Sequence, residues 1–273
     1  MIEVARRSWA AGRRWTPGEV AWAARTGDGS DQVAFMGDGF CWQQPDYAVI
    51  VATNAEEANE GLIWAADDRA VQVSDRDETL GALMRSSGYR ELVDAPFDLD
   101  LRLATSAVGD YAALSGFVVR PAQPSDDLVA VHRAAWHPPD LPFAEGHRPP
   151  FAPDAASTFS AQQLAAVEAA DDYDRRLHLV AEADDGALAG ACIGWLDPAN
   201  GTVAIEPLGV VPANRRRGIA GALCLEVARL GGQRGAREVI IHPRGDSAYP
   251  APRAAYHAVG FEAVGRTRLL AKT

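Results

Sequence analysis

A ten-residue stretch, Val211-Pro-Ala-Asn-Arg-Arg-Arg-Gly-Ile-Ala220, constrains this chain more than any other part of it. Before it, Val203-Ala-Ile-Glu-Pro-Leu-Gly-Val210 is an apolar run that reads as a strand. After it, Ile219, Leu223, Val227 and Leu230 recur at helical spacing and make one apolar stripe. The local order is therefore strand, tight Arg/Gly turn, helix. Such a turn suits a phosphate group. Glycine lets the backbone come close, the first amides of the helix have no acceptor of their own, and the helix dipole favours an anion where three arginines already gather.

A second pattern lies downstream. After the strand-like Glu238-Val-Ile-Ile-His242 comes Tyr256-His-Ala-Val-Gly-Phe261. Gly260 can end a helix in the left-handed conformation and Phe261 can turn back into a core. Tyr256 then sits one turn from the helix end, where its hydroxyl faces a cleft and stays protonated at neutral pH. Arg215-x-x-Gly218-x-Ala220 resembles the Arg/Gln-x-x-Gly-x-Gly/Ala loop of the GNAT superfamily of N-acetyltransferases, and Tyr256-x-x-x-Gly260-Phe261 is similar to the signature that ends the fourth helix of that family. The resemblance implies a loop that cradles the pyrophosphate of acetyl-coenzyme A. It also implies a tyrosine that protonates the departing thiolate.

Composition narrows the class. Hydrophobic residues make up 48% and charged residues 23%, a soluble globular balance. A net charge of -11 argues against general nucleic-acid binding. The first eight residues hold no long apolar core, and no apolar stretch approaches a membrane span, so the expected location is cytoplasmic with no membrane partner. Cys41, Cys192 and Cys224 are scattered in apolar surroundings and read as core fillers; no histidine spacing suggests a metal site, and none is expected.

The chain divides at a small, polar stretch, giving 1–105 and 117–273 as domains with 106–116 as linker. In the second, Phe117-Val-Val-Arg120 reads as a strand, Ser125 as the cap of a helix ending near Trp136, and Ala161–Ala170 as a short helix. His178–Glu182 and Gly190–Leu196 read as strands about an Asp184-Asp185-Gly186 turn. Strand, two helices, three antiparallel strands, helix, strand, helix and final strand is the order of the GNAT fold. The expected class is thus α/β (α+β): a mixed, mostly antiparallel sheet flanked by helices, with two GNAT-like domains in tandem. In the first domain, Gln32–Met36 and Phe40–Trp42 suggest a hairpin, Tyr47–Val51 and Leu62–Ala65 suggest strands, and Glu78–Tyr89 parallels the helix that ends in Gly260-Phe261. Met84 falls at the place of Tyr256, and three glutamates, Glu56, Glu57 and Glu60, stand where a phosphate loop would be. This half reads as a degenerate repeat that has lost donor binding, or as an unrelated α/β domain.

The site residues follow from the resemblance. Arg215, Arg216, Arg217, Gly218, Ile219, Ala220 and Gly221 would hold the phosphates. Leu208, Gly209 and Val210 would offer backbone groups to the acetyl carbonyl and pantetheine arm. Glu206 is the candidate base for the amine, or else a solvent-facing or salt-bridged glutamate. The family often has an Asn before the tyrosine helix; here Gly245–Pro252 has none, and Asp246 or Ser247 is a weak substitute. Trp136–Phe143, Phe151 and Phe159 are expected on the acceptor side, with His137 and Asp140 either touching a polar acceptor or simply lying on a stiff connector. The acceptor is expected to be a small-molecule or peptide amine, attacked directly with no acetyl-enzyme. A non-catalytic acyl-coenzyme A sensor on the same fold is the alternative.

Overall fold

Two rounds of one strand-and-helix pattern run along the chain. The structure is a computed structural model and describes residues 1–10, 15–27, 32–44, 47–65, 69–109, 114–147, 152 and 154–272. The first round comprises α1 (Ile2–Ala10), α2 (Pro17–Thr26), β1 (Gln32–Met36), β2 (Gly39–Gln43), β3 (Tyr47–Val51), α3 (Ala55–Ala65), β4 (Ala70–Ser74), α4 (Glu78–Ser86), β5 (Tyr89–Glu91) and β6 (Leu99–Ala104). The second comprises β7 (Phe117–Pro121), α5 (Leu128–Ala135), α6 (Ala161–Glu168), β8 (His178–Ala183), β9 (Leu188–Asp197), β10 (Thr202–Val210), α7 (Ile219–Gly232), β11 (Glu238–Ile241), α8 (Ala251–His257) and β12 (Glu262–Lys272). The element order expected for residues 117–273 is the one observed.

The strands join into one sheet in the order β1-β2-β3-β4-β12-β6-β11-β10-β9-β8-β7, with β5 also on β12. The repetition is exact in sense. β1, β2 and β3 are antiparallel and β3 runs parallel to β4, as β8, β9 and β10 are antiparallel and β10 runs parallel to β11. Each half lends the other a strand. β6 pairs with β11, and the far half of β12, Thr267–Leu270, pairs with β4. β6 and β12 meet antiparallel at the centre.

Two local expectations are corrected. Leu62–Ala65 is the last turn of α3 and not a strand. Asn54 accepts the amide of Glu57 and caps the helix, and Ala58, Leu62 and Ala65 recur along the face buried against β1–β4. The cap of α5 is Asp127, whose Oδ1 accepts the amide of Ala130 at 2.9 Å, and not Ser125. The parallel between the two helix ends holds. Gly88 (φ 88°) and Gly260 (φ 98°) both take the left-handed conformation, and Tyr89 and Phe261, next in sequence, are both buried.

Helices cover both faces. The largest core lies between α7, α8 and the second half's strands, with Leu223, Val227, Val239 and Phe261 buried in it. On the opposite face, α2 of the first half packs on β9 and β10, where Ala21, Trp195 and Ala204 share a cluster. A Cβ added to Gly18 would stand 2.2 Å from Trp195, so this close approach needs glycine. Cys41, Cys192 and Cys224 are buried free thiols. No helix among the described residues is long and apolar enough to cross a membrane.

Candidate active site

The second half opens where β10 leaves its neighbours. Its parallel ladder with β11 ends at Ala204–Ile240. Its antiparallel ladder with β9 slips between Ile205 and Leu208, so Glu206 and Pro207 form an irregularity. Proline has no amide to donate and suits such a break. The result is a fork between β10 and β11, with the backbone of Leu208–Val210 beyond it.

A cavity of about 630 Å³ occupies this region. One wall is Leu208, Gly209 and Val210 of β10. Another is Arg215, Arg216 and Gly218–Gly221, ending in the first turn of α7. Tyr256 of α8 and Val259, just past its end, face it, and Trp136, Leu141, Pro142 and Tyr249 close it. The first intrahelical bond of α7 runs from the Ala222 amide to the Gly218 carbonyl, which leaves the amides of residues 219–221 without a helical acceptor. α7 touches the turn after α8 at this end: a Cβ on Gly221 would lie 2.6 Å from Val259 Cγ1.

The three arginines differ. Arg215 donates to the carbonyls of Val210 and Ala135, each at 3.1 Å, and also to that of Asp140. It pins the 135–140 segment to the end of β10. Arg217 donates to Asn214 Oδ1 at 3.3 Å and lies 4.3 Å above the Phe117 ring, away from the cavity lining. Arg216 lines the cavity from a left-handed backbone (φ 60°).

Tyr256 is 6% exposed, and burial, with the nearby Cys224 thiol and Glu206 carboxylate, pushes its phenol well above the ordinary value. It therefore remains a proton donor throughout the neutral range. Burial also raises the thiols of Cys192 and Cys224, which holds them out of the thiolate form. Glu206 is half-buried at the fork and outside the cavity lining; its carbonyl accepts the Trp195 indole N–H at 2.6 Å. Asp246 accepts from the Ala248 amide at 2.8 Å and from Arg244, within its own turn.

On the face of the fork opposite α7, an aromatic column runs across the junction of the halves. Trp22, Phe159, His132 and Trp136 stack with centroids 3.9–5.6 Å apart. Burial lowers His132 to about 4, so its ring is neutral. The column leaves a void of only about 10 Å³ beside Pro207. Phe159 therefore belongs to the column and not to the open cavity. His137 and Asp140 pair with each other at 3.0 Å on the surface, as a connector would. Phe151 lies outside the described residues. Val259 and Tyr249 line the cavity without having been singled out in the sequence. Val259 lies between Tyr256 and Gly260, in the turn that ends α8.

Residues 140–261 match the model of the acetyltransferase (GNAT) family. The chain carries a GNAT acetyltransferase domain. Several solved structures share its fold. A GNAT-family acetyltransferase from Colwellia psychrerythraea aligns with a TM-score of 0.61 at 12% identity, over 98% of this chain and 94% of its own. A GCN5-related N-acetyltransferase from Sphaerobacter thermophilus gives 0.57 at 20% identity, over 85% and 75%. A tandem GNAT protein from the clavulanic acid biosynthesis pathway gives 0.56 at 15%, over 98% and 92%. At these identities the likeness is one of fold, and it spans both halves. No curated protein matches the chain. The GNAT match contains the fork, the Arg/Gly loop and Tyr256, so the region of the cavity is the region of family likeness.

Proposed function

We propose that this protein is an N-acetyltransferase that moves the acetyl group of acetyl-coenzyme A to the primary amine of a small molecule or peptide. The observation that carries the reading is the single cavity in which β10, the Arg/Gly loop and Tyr256 converge. Acetyl-coenzyme A would place its pyrophosphate against Arg216 and the amides of Gly218–Gly221, with its pantetheine arm along Leu208–Val210. Arg215 shapes this site through carbonyl bonds, and Arg217 supports it from outside. The amine, made neutral by Glu206, attacks the thioester carbonyl. The carbon–sulfur bond breaks, the thiolate takes the phenolic proton of Tyr256, and the proton that the new amide nitrogen sheds restores the phenol. Buried neutral cysteines favour direct attack over an acetyl-enzyme.

Calorimetry with acetyl-coenzyme A, followed by thiol release with a panel of amines, tests both parts. Binding without release from any amine would support the second reading, an acyl-coenzyme A sensor. One observation favours that reading: the aromatic column of Trp22, His132, Trp136 and Phe159 fills the face opposite α7 beside Pro207.

A further inference from the structure

α2 begins with a capping box, in which Glu19 Oε2 accepts the amide and the hydroxyl of Thr16, each at 2.9 Å. That motif explains one carboxylate oxygen. The other leaves the first half: Oε1 lies 2.7 Å from Nδ1 of His242, the residue that follows β11. Both side chains are deeply buried, at 6% and 2% exposure. On the other side of the imidazole, Nε2 is 3.5 Å from Asp100 Oδ1 of β6, and Asp100 in turn meets Arg102 and Arg76. Trp9 of α1 stands edge-on to the ring at 6.0 Å. One histidine thus gathers contacts from α1, α2 and β6, far more than a helix cap needs.

Its place in the sheet matters. Ala204 pairs with Ile240 in the last rung of the β10–β11 ladder. Two residues beyond each, on the same face by alternation, stand Glu206 and His242. That face is the one α2 covers, where Ala204 packs with Ala21. Glu206 and His242 therefore share one face across the fork, with Glu19 and Asp100 against the imidazole. Asp100 is pushed up by burial, but hydrogen bonding and charge from His242 and Arg102 hold it well below the ordinary carboxylate range. A buried imidazole with a carboxylate on each side is the geometry that favours the charged ring.

We propose that His242, held in place by Glu19 of the first half, is a positioning residue for proton transfer at Glu206, so that the first half takes part in the reaction. The inference rests on the acetyltransferase reading. The ammonium N–H proton passes to the Glu206 carboxylate, the electron pair stays on nitrogen, and the freed amine attacks. A cation beside Glu206 keeps that carboxylate ionised and able to take the proton. Among the described residues, Glu19 from α2 and Asp100 from β6, with Arg102 and Arg76 behind it, face His242, and Glu206 stands on the same face of β10.

The test uses the full chain, acetyl-coenzyme A, and the amine of the panel that turns over fastest. His242→Gln removes the cation, so the acid limb of the kcat profile should move up by about one pH unit. Glu19→Gln should move it the same way by less, with the KM for acetyl-coenzyme A unchanged. In a Glu206→Gln background, neither change should reduce kcat further, because both act through Glu206. A wild-type acid limb in folded His242→Gln, or an undiminished loss in the Glu206→Gln background, overturns the proposal and leaves the pair as a clamp between halves. Should both variants fail to fold, Thr16→Val loosens Glu19 alone and should give a smaller shift in the same direction; an unmoved limb there counts against the proposal. Failure of the acetyltransferase reading is distinct, since wild type itself would then turn over no amine.

Discussion

β10 and α7 in the second half and β3 and α3 in the first are the same unit of strand, turn and helix, but the helix ends are filled differently. At the start of α7 the chain offers open amides, a left-handed Gly218 and Arg216, all facing a cavity. At the start of α3 the place is taken by the chain itself. The carboxylate of Glu57 accepts the Thr53 amide at 2.7 Å, the Thr53 hydroxyl at 2.9 Å and the Asp38 amide at 2.8 Å. The β1–β2 turn presses on it, so that a Cβ on Gly37 would come within 2.8 Å of Glu57 Oε1. In the first half the helix start is closed by a side chain of the protein itself. Glu57 ties the start of α3 to the β1–β2 turn. The comparison teaches that one strand–turn–helix unit can close its helix start with a carboxylate of its own or leave it open to a cavity.

If the halves divide labour this way, neither works alone. Residues 117–273 expressed without the first half would lose β6 from between β11 and β12, and β4 from beside β12. β11 would be bared on one edge and β12 on both, at the centre of the sheet. We expect this fragment to aggregate and to show no transfer, as size-exclusion chromatography and the thiol assay would reveal. A monodisperse, fully active fragment would break the comparison at its root.

Next in size is the contrast of Tyr256 with Met84, which hold matching places before Gly260 and Gly88. Tyr256→Phe should lower kcat by about 10²–10⁴-fold with donor affinity nearly unchanged, since it removes only the departing thiolate's proton source. Met84→Leu, a buried and volume-conserving change, should leave kcat alone and cost less than ~1.5 kcal/mol of stability by denaturant titration. Near-normal turnover in Tyr256→Phe would remove the phenol from the mechanism.

Arg216→Glu sharpens the contrast of the helix ends, because it gives the second half a carboxylate like that of the first. It should weaken acetyl-coenzyme A binding by about 2–5 kcal/mol in calorimetry, through loss of a charge-assisted contact and added repulsion. Arg217→Glu should do less, since Arg217 rests on Phe117 outside the cavity. Equal losses at the two positions would mean that the loop acts by net charge and not by placement.

Much of this was legible in the sequence because it was local. The Arg/Gly turn, the Gly260-Phe261 helix end and the β8–β9 hairpin each depend on residues a few positions apart. What stayed hidden depends on long range. Glu19 and His242 are 223 positions apart, and nothing in Thr16-x-x-Glu19 shows that its second oxygen crosses to the other half. The exchange of β6 and β12 leaves no mark on either strand's own pattern. Leu62–Ala65 misled because a short apolar run fits a buried strand and a helix face equally well. Arg215 and Arg217 looked like equals of Arg216, since a run of one residue type does not reveal which side chain turns inward.

The smallest expected effect belongs to Glu57, and it tests whether the first half's helix end is built for stability. Burial pushes this carboxyl up, but the Thr53 and Asp38 amides and the Thr53 hydroxyl outweigh that and hold it below the ordinary value. A folded-state value below the unfolded one means that the unfolded chain binds more protons. The stability Glu57 contributes is therefore complete above the ordinary glutamate value of about 4.3, and it fades as pH falls through the lower folded value. Glu57→Gln keeps the shape but turns an amide group toward two backbone donors, so it should cost ~1–3 kcal/mol at pH 7. Below the folded value the wild type has itself lost the carboxylate, so the difference should shrink toward the acid end. Urea titrations of both proteins between neutral and acid pH would show it. Acetyl-coenzyme A affinity should not change, and no second equivalent should bind. A pH-independent difference would mean that Glu57 acts through packing alone, and the likeness between its carboxylate and a bound phosphate would then be one of position without charge.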